Sequence, residues 1–241
     1  MDRKRPSSIP AEPDKALRAD VRALGDLLGE VLRTQAGSEV YETVERVREE
    51  GKALRQEPGD EEDPALQSLY AAIESIPPDR VPEVVRAFSL FLTFANIAEQ
   101  RHKVRLRRLA QVRATRGEHD EPRVDSYTDT FDRLLNRGIA KEALYEAAAS
   151  QQVEFVLTAH PTQVVRRTLL ARYNRVADAL NAGDSIDLTP DERAAVREQL
   201  RREVSTVWHT DELHRSRPTP LDEVRGGLAV LEQSLWDAVP R

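Results

Sequence analysis

The sequence predicts a predominantly α-helical protein with about nine or ten helices and a single β-strand. Its 241 residues are 32% charged and 39% hydrophobic with only 10 glycines, a composition typical of amphipathic helices. Apolar residues recur every three to four positions along most of the chain, which is the period of a helix face. Residues 153–158 break this pattern with a compact β-branched and aromatic run that predicts the strand.

The first half of the chain predicts a tail and four helices. Residues 1–13 hold three prolines and no apolar period, so we expect a mobile tail. The first helix is expected from Asp14, which is placed to cap it. Three later breaks separate the helices: a glycine at Gly37-Ser38, a polar loop at 57–64 and prolines at Ile76-Pro77-Pro78. The fourth helix, from Val81-Pro82, carries an apolar band too wide for a surface helix, so we expect other elements to enclose it.

The second half predicts five further helices around the strand. Two short helices cover 127–137 and 141–149, with Gly138 as the terminator between them. After the strand, one helix follows over 164–180, and the next begins at Thr189-Pro190-Asp191-Glu192 and ends near Trp208. The last begins at Pro220 and is cut off at Arg241. We therefore expect three regions: the tail 1–13, a helical N-terminal region 14–150 and a second region 151–241.

Composition argues against several classes of function. The chain has no cysteine, which excludes disulfides and thiolate metal sites, and its N-terminus lacks the apolar core of a signal peptide, so we expect a cytoplasmic location. No uninterrupted apolar stretch reaches the ~18 to 20 residues that cross a bilayer, and we expect no membrane partner. A formal net charge of −6 favours a small acidic metabolite over nucleic acid. The basic residues from Arg101 to Arg116 lack interleaved aromatics, which favours a solvated helix face over a nucleic-acid surface.

The predicted strand leads directly into Ala159-His160-Pro161-Thr162. Pro161 limits the backbone and Thr162 is placed to cap the following helix, so we expect His160 beside free helix N–H groups. Arg166 and Arg167 add two permanent charges about one turn further along. This arrangement suits a bicarbonate, carboxylate or phosphate ligand. A histidine at a strand end, with the arginines in ion pairs, fits the same pattern equally well.

Taken together, residues Phe155–Thr168 resemble the histidine signature of the phosphoenolpyruvate carboxylase family. Three other segments are similar to that family in the expected order: Leu27–Leu32, Ala87–Gln100, and Thr210–Leu213 leading to Arg217–Glu223. The resemblance therefore covers nearly the entire chain.

The resemblance implies a lyase that uses Mg²⁺ or Mn²⁺ to join bicarbonate to phosphoenolpyruvate, giving oxaloacetate and phosphate and so replenishing the tricarboxylic acid cycle. His160 maps onto the histidine that is thought to help deprotonate carboxyphosphate, a task that suits an imidazole because its ordinary pKa lies near working pH. The family fold is an eight-stranded TIM-type barrel surrounded by helices. The strand at 153–158 is thus expected to be the first barrel strand, with His160 at its C-terminal end.

The resemblance also implies anion sites and partners. Arg166 and Arg167 map onto an arginine pair associated with anion binding, including sugar-phosphate effectors in some members. Many relatives have two further arginines where this sequence has His214-Arg215. The resemblance therefore implies a role in anion or effector binding for Arg215 alone of these two residues. The full enzyme is expected to be a homotetramer. The resemblance places the metal ligands of the full enzyme in later elements. The spacing of His209, Asp211, Glu212 and His214 fits no familiar metal site, so we expect no metal site in this chain.

The family's later elements, including the acidic metal ligands, have no counterpart in this sequence. Without those ligands phosphoryl transfer lacks its main charge neutraliser, so we expect an N-terminal fragment that is inactive alone. The alternative is a truncated or split product that acts as a helical binding or assembly module, with the remainder encoded separately.

Overall fold

Nine α-helices and one π-helical turn make up the part of the chain that the structure, a computed structural model, describes: residues 13–56, 63–116, 126–152, 154, 166–185, 187–211 and 219–238. The helices are α1 (Pro13–Val31), α2 (Ser38–Gln56), α3 (Pro64–Glu74), α4 (Val81–Thr115), α5 (Tyr127–Asn136), α6 (Lys141–Ser150), α7 (Arg167–Gly183), α8 (Pro190–His209) and α9 (Pro220–Ala238). The π-helical turn, Leu32–Ala36, extends α1. The prediction of a mainly helical chain is confirmed.

The predicted strand at 153–158 lies outside the described residues except for Glu154, which is in no regular element. No strand occurs among the residues that are described. The first barrel strand, and the TIM-type barrel with it, therefore stay predictions.

The chain divides into two compact units. Unit 1 comprises Met1–Val104 and Val165–Arg217, and unit 2 comprises Arg105–Val164 and Pro218–Arg241. α7 and α8 belong to the same unit as α1, and the three predicted regions stay predictions. The predicted mobile tail lies outside the described residues, apart from Pro13, at which α1 begins.

Unit 1 is built around a bundle of four helices: α1, the first part of α4, α7 and α8. Each contributes one apolar face to a common core, and α2 adds Val40 and Val44 beside the π-helical turn. The most deeply buried side chains come from all four helices: Leu24, Leu27, Leu90, Phe94, Leu169, Val176, Val204 and Val207. Burial of a side chain of this size contributes about 1.5 to 3 kcal/mol, so this core accounts for the stability of the unit.

The enclosure predicted for α4 is confirmed for one of its faces. Val84, Leu90 and Phe94 are buried inside unit 1, whereas Val85 and Leu92 are about 60% exposed on the opposite face. By length and composition alone α4 could cross a membrane, since an apolar window within it has a mean hydropathy of 1.3. Of that window, 28% is buried in the structure, and Phe94 is one of its residues in the bundle core.

α7 and α8 form an antiparallel hairpin. Arg172 pairs with Glu203, and a Cβ atom on Gly183 would lie 3.6 Å from Val196, so positions further along α7 face positions earlier in α8. The hairpin therefore has two distinct ends. One end carries the connection between the helices, and the other carries the start of α7 and the finish of α8.

At three helix starts, local side chains and backbone constraints determine where the helix begins. Thr189 and Glu192 form a reciprocal capping box at the start of α8, with Pro190 at the first helical position, as predicted. Asp63 caps α3 through the N–H of Ala65 at 2.8 Å, so this helix begins within the predicted polar loop 57–64. Asp14, predicted as a cap, lies in the first turn of α1 instead, because the helix already begins at Pro13.

Unit 2 contains α5, α6, α9 and the end of α4. Ser126 caps α5, and Gly138, with φ +86°, ends it as predicted, since only glycine adopts that backbone conformation without strain. No described side chain in this unit is buried. Several large apolar side chains are exposed instead: Leu109, Tyr127, Ile139, Tyr145, Leu221 and Leu228.

Candidate functional site at the open end of the hairpin

The predicted site residues fall partly within the described structure. His160 and Arg215 lie outside the described residues, so their predicted catalytic and anion-binding roles stay predictions. Arg166 and Arg167 are described, and they stand together at the start of α7. The site is therefore built from the start of α7 and the finish of α8.

α7 begins at Arg167, later than the sequence indicated. Arg166 has φ −57° and ψ 135°, which places it at the cap position outside the helix, and its own side chain makes no capping hydrogen bond. Pro161 and Thr162 lie outside the described residues, so the predicted cap at Thr162 stays a prediction. β-branched Val164 and Val165 precede the start and lower helix propensity, and the first core contact of the helix is made by Leu169.

The backbone ends α8 at Thr210. The Thr210 N–H donates to the Val207 carbonyl at 3.1 Å, and its hydroxyl donates to the Thr206 carbonyl at 2.7 Å. Thr210 itself is extended, with φ −91° and ψ 122°. The chain therefore turns away from the helix axis at the first residue of the Thr210–Leu213 segment.

The antiparallel register brings these two helix ends together. Arg172 lies opposite Glu203, and continuing the same register places Arg167 at the level of Thr210 and Asp211. The start of α7 and the finish of α8 thus lie at the same end of the helix pair, which we call the open end of the hairpin.

The start of α7 at the open end carries two arginines. Arg166 and Arg167 stand at a helix N-terminus whose first turn holds no acidic residue, and the first backbone N–H groups of a helix have no acceptor within the helix. The helix dipole adds positive potential at the same place. Together these features suit an anion of the size of phosphate or bicarbonate.

Arg86 is a residue of this end that no sequence pattern indicated. Its Nη2 donates to the carbonyl of Val207 at 3.3 Å and to the carbonyl of Thr210, and its guanidinium lies 5.4 Å from the centre of the Trp208 ring. It stands in the apolar stretch of α4, more than a hundred positions before its acceptors. No local signal could have paired them.

Arg101 occupies the other end of the hairpin. Its guanidinium donates to Asp20 at 2.8 Å, to Asn181 at 2.8 Å and to Asp184, and only 3% of its side chain is exposed. The prediction that the basic run of α4 is a solvated face is therefore wrong for Arg101 and for His102, each of which is 5% exposed. It holds for the later residues Arg107, Arg108, Arg113 and Arg116, which are exposed.

Among the described residues, no three histidine, aspartate or glutamate side chains lie close enough to hold a metal ion. These residues therefore do not fit the Mg²⁺ or Mn²⁺ that the resemblance implies.

These features define a helical module that presents two cations and the ends of two helices at one end of a bundle. The profile of the family described as phosphoenolpyruvate carboxylase matches residues 17–241. The chain belongs to the phosphoenolpyruvate carboxylase family.

Curated relatives agree with this assignment. The chain is similar to phosphoenolpyruvate carboxylases from Alcanivorax borkumensis, with 46% identity over 93% of this chain, and from Ectopseudomonas mendocina, with 41% identity over 96%. A third such relative, from Pseudomonas aeruginosa, is 42% identical over 95% of this chain. The matched regions are 24%, 25% and 25% of those proteins, so the chain spans about a quarter of their length.

Proposed function

We propose that this chain is the N-terminal part of an enzyme that carboxylates phosphoenolpyruvate with bicarbonate, giving oxaloacetate and phosphate. The observation that carries the proposal is the family match, which runs through the segment that contains His160. The two arginines at the start of α7, Arg166 and Arg167, support it, because both substrates are anions.

In the proposed reaction, a bicarbonate oxygen attacks phosphorus and the bond from phosphorus to the enol oxygen breaks, which leaves carboxyphosphate and the enolate of pyruvate. His160 accepts the proton of carboxyphosphate, which then separates into carbon dioxide and phosphate. The enolate carbon attacks carbon dioxide to form oxaloacetate. An imidazole suits this role because it can accept a proton and return it near neutral pH. Arg166 and Arg167 are proposed to bind an anionic substrate group or effector, as is Arg215.

The metal ligands are proposed to belong to the part of the relatives that this chain does not span, and with them most of the stabilisation of phosphoryl transfer. Turnover by the 241-residue chain alone is therefore not expected. The homotetramer and the cytoplasmic location stay predictions.

The experiment measures oxaloacetate formation by the full-length product of the gene, its His160→Asn variant and the 241-residue chain. We expect activity in the first only. His209→Asn is the matched control, since His209 is an exposed histidine at the end of α8. An inactive full-length product would overturn the proposal, and an active His160→Asn variant would remove the role of His160.

A helical binding or assembly module is the second candidate, and one observation favours it. The described helices of unit 2 leave apolar side chains such as Tyr127 and Tyr145 more than 70% exposed, which is typical of a surface that another polypeptide covers. This candidate becomes the better one if the full-length product binds its missing part or itself but forms no oxaloacetate.

A further inference from the structure

We propose that the apolar groove between α5 and α6 is a docking site for the remainder of the full-length enzyme, and that it receives one amphipathic helix of that remainder. This inference rests on the proposed function, because it takes the chain to be part of a longer enzyme. The groove itself lies within unit 2, between two helices that the structure describes.

Both walls of the groove are apolar. Phe131 and Leu135 lie one turn apart on α5, and Leu144 and Ala148 lie one turn apart on α6. Residues four positions apart share a face of a helix, so each wall is a continuous apolar strip. None of these four side chains is buried within the chain. Tyr145 borders the groove and is 75% exposed.

The turn between the two helices sets the geometry of the groove. Gly138 has φ +86°, and its N–H donates to the Leu135 carbonyl at 2.9 Å, while the N–H of Ile139 donates to the Leu134 carbonyl at 3.2 Å. These are the two bonds of a Schellman motif, which ends α5 and directs the chain towards α6. The helices have ten residues each, a length that is marginal without tertiary packing, so their apolar walls need a partner.

A polypeptide helix fits this groove better than a small molecule does. The groove has a volume of about 250 Å³, below the roughly 300 to 1,000 Å³ of small-molecule sites. Two apolar residues one turn apart on each wall match the spacing of the anchors that a docked helix inserts. Lys141 lines the same groove and makes no ion pair within the described part of the chain. We therefore expect the docking helix to carry a carboxylate beside it.

The length of the relatives favours the remainder of the enzyme over a second copy as the occupant. The family match runs through α5 and α6, and the chain spans about a quarter of those relatives. A partner joined to the groove by the same polypeptide has an effective concentration in the millimolar range. A second copy at micromolar concentration competes poorly with such a tethered partner.

The experiment compares two neighbouring alanines of α6 in the full-length product of the gene and in the 241-residue chain. Ala148 lines the groove and Ala147 does not, and both are exposed in the chain. In the full-length product, Ala148→Glu should accelerate amide hydrogen exchange of α5 and α6 at least about tenfold, because it places a charge under the docked helix. The control Ala147→Glu should leave that exchange unchanged. In the 241-residue chain neither variant should change it.

Tyr145→Ala is a second variant, which removes contact area without adding a charge. It should also accelerate exchange of α5 and α6 in the full-length product, since exposed tyrosines often carry much of the energy of an interface. Alanine has the higher helix propensity, so faster exchange cannot come from a weaker helix. Equal exchange in the wild type, Ala148→Glu and Tyr145→Ala overturns the proposal. Protection in the 241-residue chain that rises with protein concentration overturns it in favour of a second copy.

Oxaloacetate formation, measured on the same samples, separates this proposal from the proposed function. A full-length product that forms no oxaloacetate but protects α5 and α6 loses the proposed function and keeps the docking site. An active product whose α5 and α6 exchange as fast as in the 241-residue chain keeps the function and loses the docking site.

Discussion

Arg101 carries its charge into the core of unit 1 because oxygen acceptors from two other helices meet it there. Asp20 comes from α1, and Asn181 and Asp184 come from the end of α7. A buried guanidinium loses its hydration, and only close acceptors replace it. The residue therefore joins three helices at one point, and it does so as part of a network rather than as an isolated ion pair.

The substitution Arg101→Met should lower the free energy of unfolding by about 3 to 5 kcal/mol, because it leaves Asp20 largely buried without its guanidinium partner. Urea denaturation followed by circular dichroism measures the change. Lys103→Met is the matched control on the same helix. Its ion pair with Glu99 is half exposed, so its removal should leave the urea midpoint almost unchanged. Equal losses of unfolding free energy in the two variants would contradict the stabilising role of the Arg101 network.

At the scale of single elements, the start of α8 combines a hydrogen-bonded cap with a titratable group. The backbone N–H of Thr189, and then its hydroxyl, donate to the Glu192 carboxylate, and these bonds hold the pKa of Glu192 below the usual glutamate range. A carboxyl group with a lowered pKa in the folded state stabilises that state above its ordinary pKa. This contribution is lost as the pH falls through the lowered value.

The melting temperature should show this dependence. We expect the wild type to melt above Glu192→Gln at about pH 6, and the gap to close as the pH falls below the ordinary glutamate pKa and through the lowered pKa of Glu192. Glutamine keeps an acceptor oxygen but does not titrate, so the comparison isolates the effect of the carboxylate charge on the melting temperature. A gap that stays unchanged from about pH 6 down to the lowest pH at which the protein is folded would show that the capping box does not depend on the ionised form.

Helix glycines give a prediction whose sign depends on the space around them. Gly51 lies inside α2, where a Cβ atom would have no neighbouring atom within 4 Å, whereas a Cβ on Gly29 of α1 would lie 3.2 Å from the Tyr41 ring. Gly51→Ala should therefore raise the free energy of unfolding by up to about 1 kcal/mol through helix propensity. Gly29→Ala should gain less or lose stability, since the Tyr41 ring is also held against Arg33 at 4.4 Å. Thermal denaturation of both variants distinguishes the two effects, and an equal gain in both would contradict the close contact.

Elements with a local signal were predictable, and those without one were not. The start of α8 and the end of α5 at Gly138 follow from capping residues and a glycine whose effects act within one turn. The start of α7 has no such signal: Arg166 caps nothing with its side chain, and the boundary is set where Leu169 reaches the core. The helix was therefore predictable and its first turn was not.

At the scale of the whole molecule, the same distinction applies to the candidate site. The pair Arg166 and Arg167 could be named from the sequence, because the anion-binding chemistry of two arginines near a helix start is local. Arg86 could not be named, because its contacts with Val207 and Thr210 exist only once the helices have packed. The family resemblance, by contrast, follows from contiguous segments, and the family match over residues 17–241 confirms it.

The two units should differ in stability. In unit 1, side chains from α1, α4, α7 and α8 share one core, whereas no described side chain of unit 2 is buried. Amide hydrogen exchange of the 241-residue chain measures this difference, since protection reports the free energy of local opening. We expect the amides of α5, α6 and α9 to exchange at least about a hundredfold faster than those in the middle of α8, a gap of roughly 2.7 kcal/mol in opening free energy.

The comparison needs no assumption about how the units sit relative to each other, because each is judged by its own amides. Equal protection in α6 and α8 would mean that the exposed apolar residues of unit 2 are covered in solution, by a second copy of the chain if protection rises with protein concentration. Protection that is low in the chain and rises in the full-length product would place the covering surface in the remainder of the enzyme.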